Sequence, residues 1–401
     1  MTRRRVIRGL AALVAGVLLV VGGYVSYAAV RHARTVVLPV AAGPYQAGRT
    51  AVEWTDDART DPLAPTAGTP RRLSVWLWYP VAPGTAGRPA PYAPGPWAGL
   101  HLPPPAGWGE TDFDAVRTGV LTDAPVAAGR FPVVVLEPGL GLSAPQYSGL
   151  AGSLARHGYL VAGVTPTYSA NLTVLGGTAV PATRAGNPPD LGGHAGGPGR
   201  RADDLVAVWA ADARFVATRV SALGHSGPFS GHIDAGHVAY VGHSFGGAAS
   251  LEACRTDPGC AGAADLDGTQ FGTVVRLGLT APMLILGHEN SCVTGTCAAV
   301  SADDSADLAV AQSLIAGSRG PIWTFTIDGT AHFDFTDYAT YYLAAPLRRV
   351  VALGSLGGRG SSIIDACLTA FLDRAVRGRA EPLLTTASDR YPEVRIGHLP
   401  S

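Results

Sequence analysis

The chain has 401 residues with 30 basic and 30 acidic side chains, and every basic one is arginine. A zero net charge leaves no basic footprint for nucleic acid, and the lack of lysine excludes a Schiff base, a pyridoxal-phosphate lysine and a P-loop lysine. The length is sufficient for a large core and is compatible with one α/β domain.

The first element is a membrane-targeting segment. Arg3, Arg4, Arg5 and Arg8 precede an uncharged run from Gly9 to Val30, which Arg31 and Arg34 close. About 20 apolar residues cross a bilayer, and a signal-peptide core is usually only about 7–15 residues long. The run reads as an uncleaved anchor. A cleaved signal is the alternative, with small residues at Ser26-Tyr27-Ala28. The larger basic cluster lies before the run, so the rest of the chain is expected outside the cytoplasm, membrane-held or secreted. This divides the sequence into an anchor or signal at 1–35, a catalytic domain at 36–380 and a C-terminal tail at 381–401. Cysteine use fits an oxidising compartment: Cys254 with Cys260 and Cys292 with Cys297 are candidate local disulfides, with Cys367 left over.

Strands are expected at Arg49–Trp54 and Arg72–Tyr79. Residues 81–130 are Pro- and Gly-rich and read as irregular surface or part of a lid. Phe131–Leu136 is a continuous apolar strand of the kind a sheet covered on both faces requires. A helix is expected over Ala144–His157, a strand over Tyr159–Val164, and a second irregular stretch over 168–200. Arg201–Leu223 carries Leu205, Val208, Trp209, Phe215 and Val216 at helical spacing. Further strands are expected at His237–Val241, Ala261–Leu266, Met283–Leu286 and Ile322–Ile327. Helices are expected around Ala306–Ala316 and over Ile363–Val376. Strands alternating with helices predict a mostly parallel, doubly wound α/β sheet. The two irregular stretches are expected to shape a pocket.

His237–Val241 runs into Gly242-His243-Ser244-Phe245-Gly246-Gly247 and then a helix. Gly-x-Ser-x-Gly between strand and helix is a nucleophile elbow: Gly242 and Gly246 let the backbone crowd together while Ser244 is held on a sharp turn. The Phe245 amide then points to where an oxyanion would form. Gly224-His225-Ser226-Gly227 looks similar, but Pro228 follows and no strand precedes it, so Ser226 reads as loop. The base is expected at His332, in a loop after Ile322–Ile327, which keeps the order Ser, acid, His. His288 comes too early to leave room for the acid. Asp267, at the turn into Gly268, is the favoured acid, and Glu289 after the following strand is its rival. The amide of Leu140, in Gly139-Leu140-Gly141, is the expected second oxyanion donor. No cofactor or metal is called for.

Taken in order, Gly43-Pro44-Tyr45, Arg72–Pro80, Gly139-Leu140-Gly141, His157-Gly158-Tyr159, the Gly-His-Ser-Phe-Gly-Gly hexad, Leu266-Asp267 and His332-Phe333 resemble the plasma-type (isoform II type) platelet-activating-factor acetylhydrolase family, across roughly residues 43 to 375. The resemblance implies an α/β-hydrolase fold, a Ser244–His332–Asp267 triad, oxyanion donors at Leu140 and Phe245, and an ester or lipid substrate such as a short or oxidised acyl ester of a phospholipid. Pro138 departs from it, since that family usually has His before Gly-Leu-Gly. A polyester hydrolase or cutinase-like lipase would take its acid from the Glu289-Asn290-Ser291 turn, where Ser291 cannot orient a histidinium. An acyltransferase with the same triad, and a non-catalytic envelope protein on the same scaffold, are the remaining alternatives.

Overall fold

In the computed structural model, residues 3–103, 106–191, 200–342 and 347–400 are described. Part of the expected irregular stretch 168–200, namely 192–199, lies outside them.

The chain opens with α1 (Arg3–His32), most of whose apolar side chains are exposed, while Ala28 near its end is buried. It is long and apolar enough to cross a membrane. Among the described residues fourteen strands follow. In chain order they are β1 (Val36–Val37), β2 (Gln46–Thr60), β3 (Pro70–Val81), β4 (Pro89–Pro91), β5 (Val116–Thr122), β6 (Phe131–Glu137), β7 (Leu160–Thr165), β8 (Leu172–Leu175), β9 (Thr178–Pro181), β10 (Ile233–His243), β11 (Cys260–Leu266), β12 (Met283–His288), β13 (Ile322–Ile327) and β14 (Val394–His398). Twelve of them form one sheet in the order β1-β5-β2-β3-β7-β6-β10-β11-β12-β13-β14, with β4 beside β5. Its centre, β7 through β13, is parallel. A β2–β3 hairpin and β14 add antiparallel pairs at either side.

The helices after α1 are α2 (Ser148–Arg156), α3 (Arg200–Leu223), α4 (Phe245–Thr256), α5 (Val274–Leu277), α6 (Ala302–Gly317), α7 (Tyr338–Tyr341) and α8 (Gly358–Arg377). Both sheet faces are covered. Val134, Leu136, Val161 and Phe325 pack with Leu154 of α2 and Phe371 of α8 on one side. Val133, Val135, Ala162 and Ile285 pack with Val216 of α3 and Leu314 of α6 on the other. This two-sided burial is why β6 is buried at every position and apolar from Phe131 to Leu136 rather than alternating.

The differences from the sequence reading have local causes. The 81–130 stretch holds a true strand, β5, paired parallel with β1 and β2. Val116, Thr118 and Val120 are its buried side, and Gly119 in a left-handed conformation breaks the pattern a reader would follow. The 168–200 stretch holds a β8–β9 hairpin turning on Gly176-Gly177, both at positive φ, the geometry of a two-residue turn. Pro145 keeps the first turn of the expected 144–157 helix as a 3₁₀ segment, with α2 beginning at Ser148. Residues expected as a tail supply β14, which pairs with β13 through Ile327↔Val394. That strand was not legible because only Val394 among its five residues is buried. Cys254–Cys260 and Cys292–Cys297 are disulfide-bonded, and Cys367 is buried and free.

Candidate active site

The site lies at the carboxyl ends of β6, β10, β11 and β13, where an open α/β sheet gathers its loops. Between β10 and α4, Ser244 sits at φ 55°, ψ −127°. This is a costly conformation for a residue with a Cβ, and it persists only where the surroundings enforce it. They do so by close approach. A Cβ on Gly242 would strike the Gly246 carbonyl, and one on Gly246 would strike the carbonyls of Pro138 and Glu137. The spacing of the glycines is therefore the condition for bending β10 into α4 beneath the β6 loop. Ser226, as expected, lies outside this geometry, at the start of a short 3₁₀ turn beyond α3.

Three loops converge on Ser244. His332 Nε2 lies 3.1 Å from Ser244 Oγ, and His332 Nδ1 lies 2.7 Å from Asp267 Oδ2. Asp267 ends β11 at φ 62° and is buried. Its backbone N–H donates to the Leu286 carbonyl, which fixes the turn. Glu289, the rival acid, accepts from the Gly329 N–H instead, at 3.1 Å. The loop after β6 presses on the elbow: a Cβ at Gly139 would sit 3.3 Å from Ser244 Cβ. As the first residue of α4, Phe245 has an amide with no intrahelical acceptor, and Leu140 lies in the turn beside Gly139.

Two histidines that sequence reasoning did not place here belong to the same network. His288, at the end of β12, sets Nδ1 2.8 Å from both oxygens of Asp267, and its backbone N–H donates to Oδ1 at 3.0 Å. Its signal was register: β11 and β12 pair in parallel, so a histidine ending β12 lies beside an aspartate ending β11. Burial by itself would push the Asp267 carboxyl up. Hydrogen bonds from His288 and His332, with their charge, outweigh it and hold the group below the ordinary carboxylate range. Burial would likewise lower His288, but the bond to Asp267 and its charge leave it raised.

His243 lies on the other side of His332, wholly buried. Tyr147 Oη accepts from the Gly139 N–H at 2.8 Å and lies 2.8 Å from His243 Nδ1; His243 Nε2 lies 3.0 Å from the His332 carbonyl. A carbonyl only accepts, so Nε2 carries the proton and Tyr147 donates to Nδ1. Burial, followed by the neighbouring His332, lowers the His243 pKa to about 3, so this imidazole is neutral. The chain Gly139–Tyr147–His243–His332 thus joins the loop over Ser244 to the backbone of the histidine beside it.

Asp267, His288 and His332 present one carboxylate oxygen and two imidazole nitrogens within 4.8 Å, a donor set that suits a first-row cation. Both Nδ1 atoms lie 2.7–2.8 Å from Asp267 oxygens, which is N–H donation to a carboxylate. Beside the loop that presses on the elbow opens a cleft of about 660 Å³, walled mainly by apolar side chains such as Leu100, Leu142, Leu172, Phe333 and Val351, with Leu140 and Gly141 also in its lining.

No protein-family model matches the chain, and no curated protein does. A solved structure does: a ferulic acid esterase from Streptomyces cinnamoneus, at 2.4 Å resolution, with a TM-score of 0.74 and 28% identity over 91% of this chain and all of that one. The chain has the α/β-hydrolase fold.

Proposed function

We propose that the protein is a carboxylic ester hydrolase acting through a Ser244–His332–Asp267 triad and an acyl-enzyme. The observation that carries this reading is the continuous hydrogen-bonded line from Ser244 Oγ through both nitrogens of His332 to a buried carboxylate. The esterase likeness supports the same reaction class. His332 Nε2 takes the Ser244 proton as Oγ attacks the ester carbonyl, then returns it to the leaving alcohol. Asp267 holds the imidazole in the tautomer with Nε2 free to accept and stabilises the cation that forms. The amides of Phe245 and Leu140 receive the oxyanion, and removing one such donor costs about 3–4 kcal/mol where this has been measured. Water, activated in turn by His332, releases the acid.

The apolar cleft supports an ester with one hydrophobic arm. Short or oxidised acyl chains on a phospholipid fit that description, as the family resemblance implies, and the named esterase neighbour adds aromatic acyl esters to the set. The test is a panel of p-nitrophenyl esters of increasing chain length, run beside methyl ferulate and a short-acyl phospholipid. Turnover of any series that disappears in Ser244→Ala supports the reading, and failure to turn over every series overturns it.

A further inference from the structure

After the 3₁₀ turn Gly95–Leu100, residues 101–103 and 106–112 touch two places at once. Leu102, Pro103 and Ala106 wall the cleft. Immediately onward, Gly107 and Trp108 face Tyr24, Ala28 and His32 at the end of α1, across an apolar hollow of about 410 Å³. Glu110 is the joint between them. Its buried carboxylate Oε2 accepts from the Leu102 N–H at 2.9 Å and contacts His101 Nδ1 at 3.1 Å. Its backbone carbonyl accepts from His32 Nδ1 at 2.8 Å, and the Asp112 N–H donates to the His32 carbonyl at 3.0 Å. The strap is tight: a Cβ on Gly107 would strike the Leu102 carbonyl. The last turn of α1 is thus hydrogen-bonded to the wall of the cleft, not joined to the body by a free tether.

The strap also carries Trp108, which is 60% exposed, whereas the other six tryptophans are each at most 7% exposed. It lies level with Tyr24 and the last turn of α1, just before Arg31 and Arg34 close the apolar run. Tryptophan and tyrosine gather at the headgroup layer, where an apolar ring with a polar edge is most stable. We propose that residues 101–103 and 106–112 seat the mouth of the cleft on the outer surface of the membrane that α1 crosses, with Trp108 in the headgroup layer, so that esters reach Ser244 from that leaflet. The inference rests on the ester-hydrolase reading and on α1 as a retained anchor.

The full chain, reconstituted in phosphatidylcholine and phosphatidylglycerol vesicles with brominated acyl chains, provides the test. Because the other tryptophans are buried, the emission quenched by bromine is expected to be the component missing in Trp108→Phe. Trp108→Asp is expected to slow hydrolysis of an ester dissolved in the vesicles about 10-fold, with water-soluble p-nitrophenyl acetate changed less than about 2-fold, because Trp108 does not wall the cleft. No quenching of the Trp108 component, or an equal effect on both esters, overturns the docking. A wild-type protein that hydrolyses neither ester overturns the hydrolase reading instead, and the quenching result then still decides the docking by itself.

Discussion

Replacing His243 with phenylalanine isolates the buried relay behind His332. The ring shape is roughly kept, but Tyr147 loses the acceptor for its hydroxyl proton and the His332 carbonyl loses its donor. Each buried polar group left without a partner costs about 1–3 kcal/mol, so the variant is expected to lose about 2–6 kcal/mol of stability in urea unfolding. The same two bonds hold the Gly139 loop and His332 against Ser244. A small displacement there is expected to lower kcat on p-nitrophenyl acetate about 10- to 100-fold with KM nearly constant. His243→Gln, which offers one amide donor and one acceptor, is expected to recover much of the loss. Acid supplies a second readout. His243 has a folded pKa depressed to about 3 against an ordinary 6.5, so its stabilising effect is complete above pH 6.5 and is lost as pH falls toward 3. At pH 4.5 this single group accounts for about 3 kcal/mol of destabilisation. His243→Gln cannot titrate and should show a shallower acid limb. A folded His243→Phe protein with wild-type kcat, or an acid limb unchanged in His243→Gln, refutes the reasoning.

Two further substitutions bear on the acid. Asp267→Asn is expected to lower kcat on the same ester by about 10³–10⁴, while Glu289→Gln, whose carboxylate only holds the Gly329 amide, stays within a few-fold of wild type. The reverse ranking would move the acid to Glu289. His288 shares Asp267 with His332. Because His288 is raised in the fold, its stabilising effect is complete below pH 6.5 and fades as pH rises through its folded value. Thermal melts of His288→Gln against pH should lack that alkaline decline, and an unchanged pH dependence would remove His288 from the network.

The parts of the site that were legible are those whose chemistry is local in sequence. Gly242 and Gly246 announce the bend at Ser244 because only hydrogen fits where their Cβ atoms would go. Asp267 and His332 could be picked out because each lies in the loop that follows a strand of a parallel sheet, and such loops gather at one edge. His243 stands next to Ser244, yet nothing nearby reveals that its partner is Tyr147, 96 residues earlier on the approach to α2. His288 was read only as an alternative base, whereas strand register makes it a second ligand of the acid. In the fold, the strands buried on both faces were visible as apolar runs. Outlying elements such as β5, β9 and β14 were not, because their burial is partial, and β8, though buried, is only four residues long before the Gly176-Gly177 turn.

The most direct measurement is labelling of the full-length protein with a fluorophosphonate probe, followed by peptide mapping. One adduct is expected, on Ser244, with both labelling and ester hydrolysis abolished in Ser244→Ala. An adduct on another serine, or labelling that persists in Ser244→Ala, would contradict it.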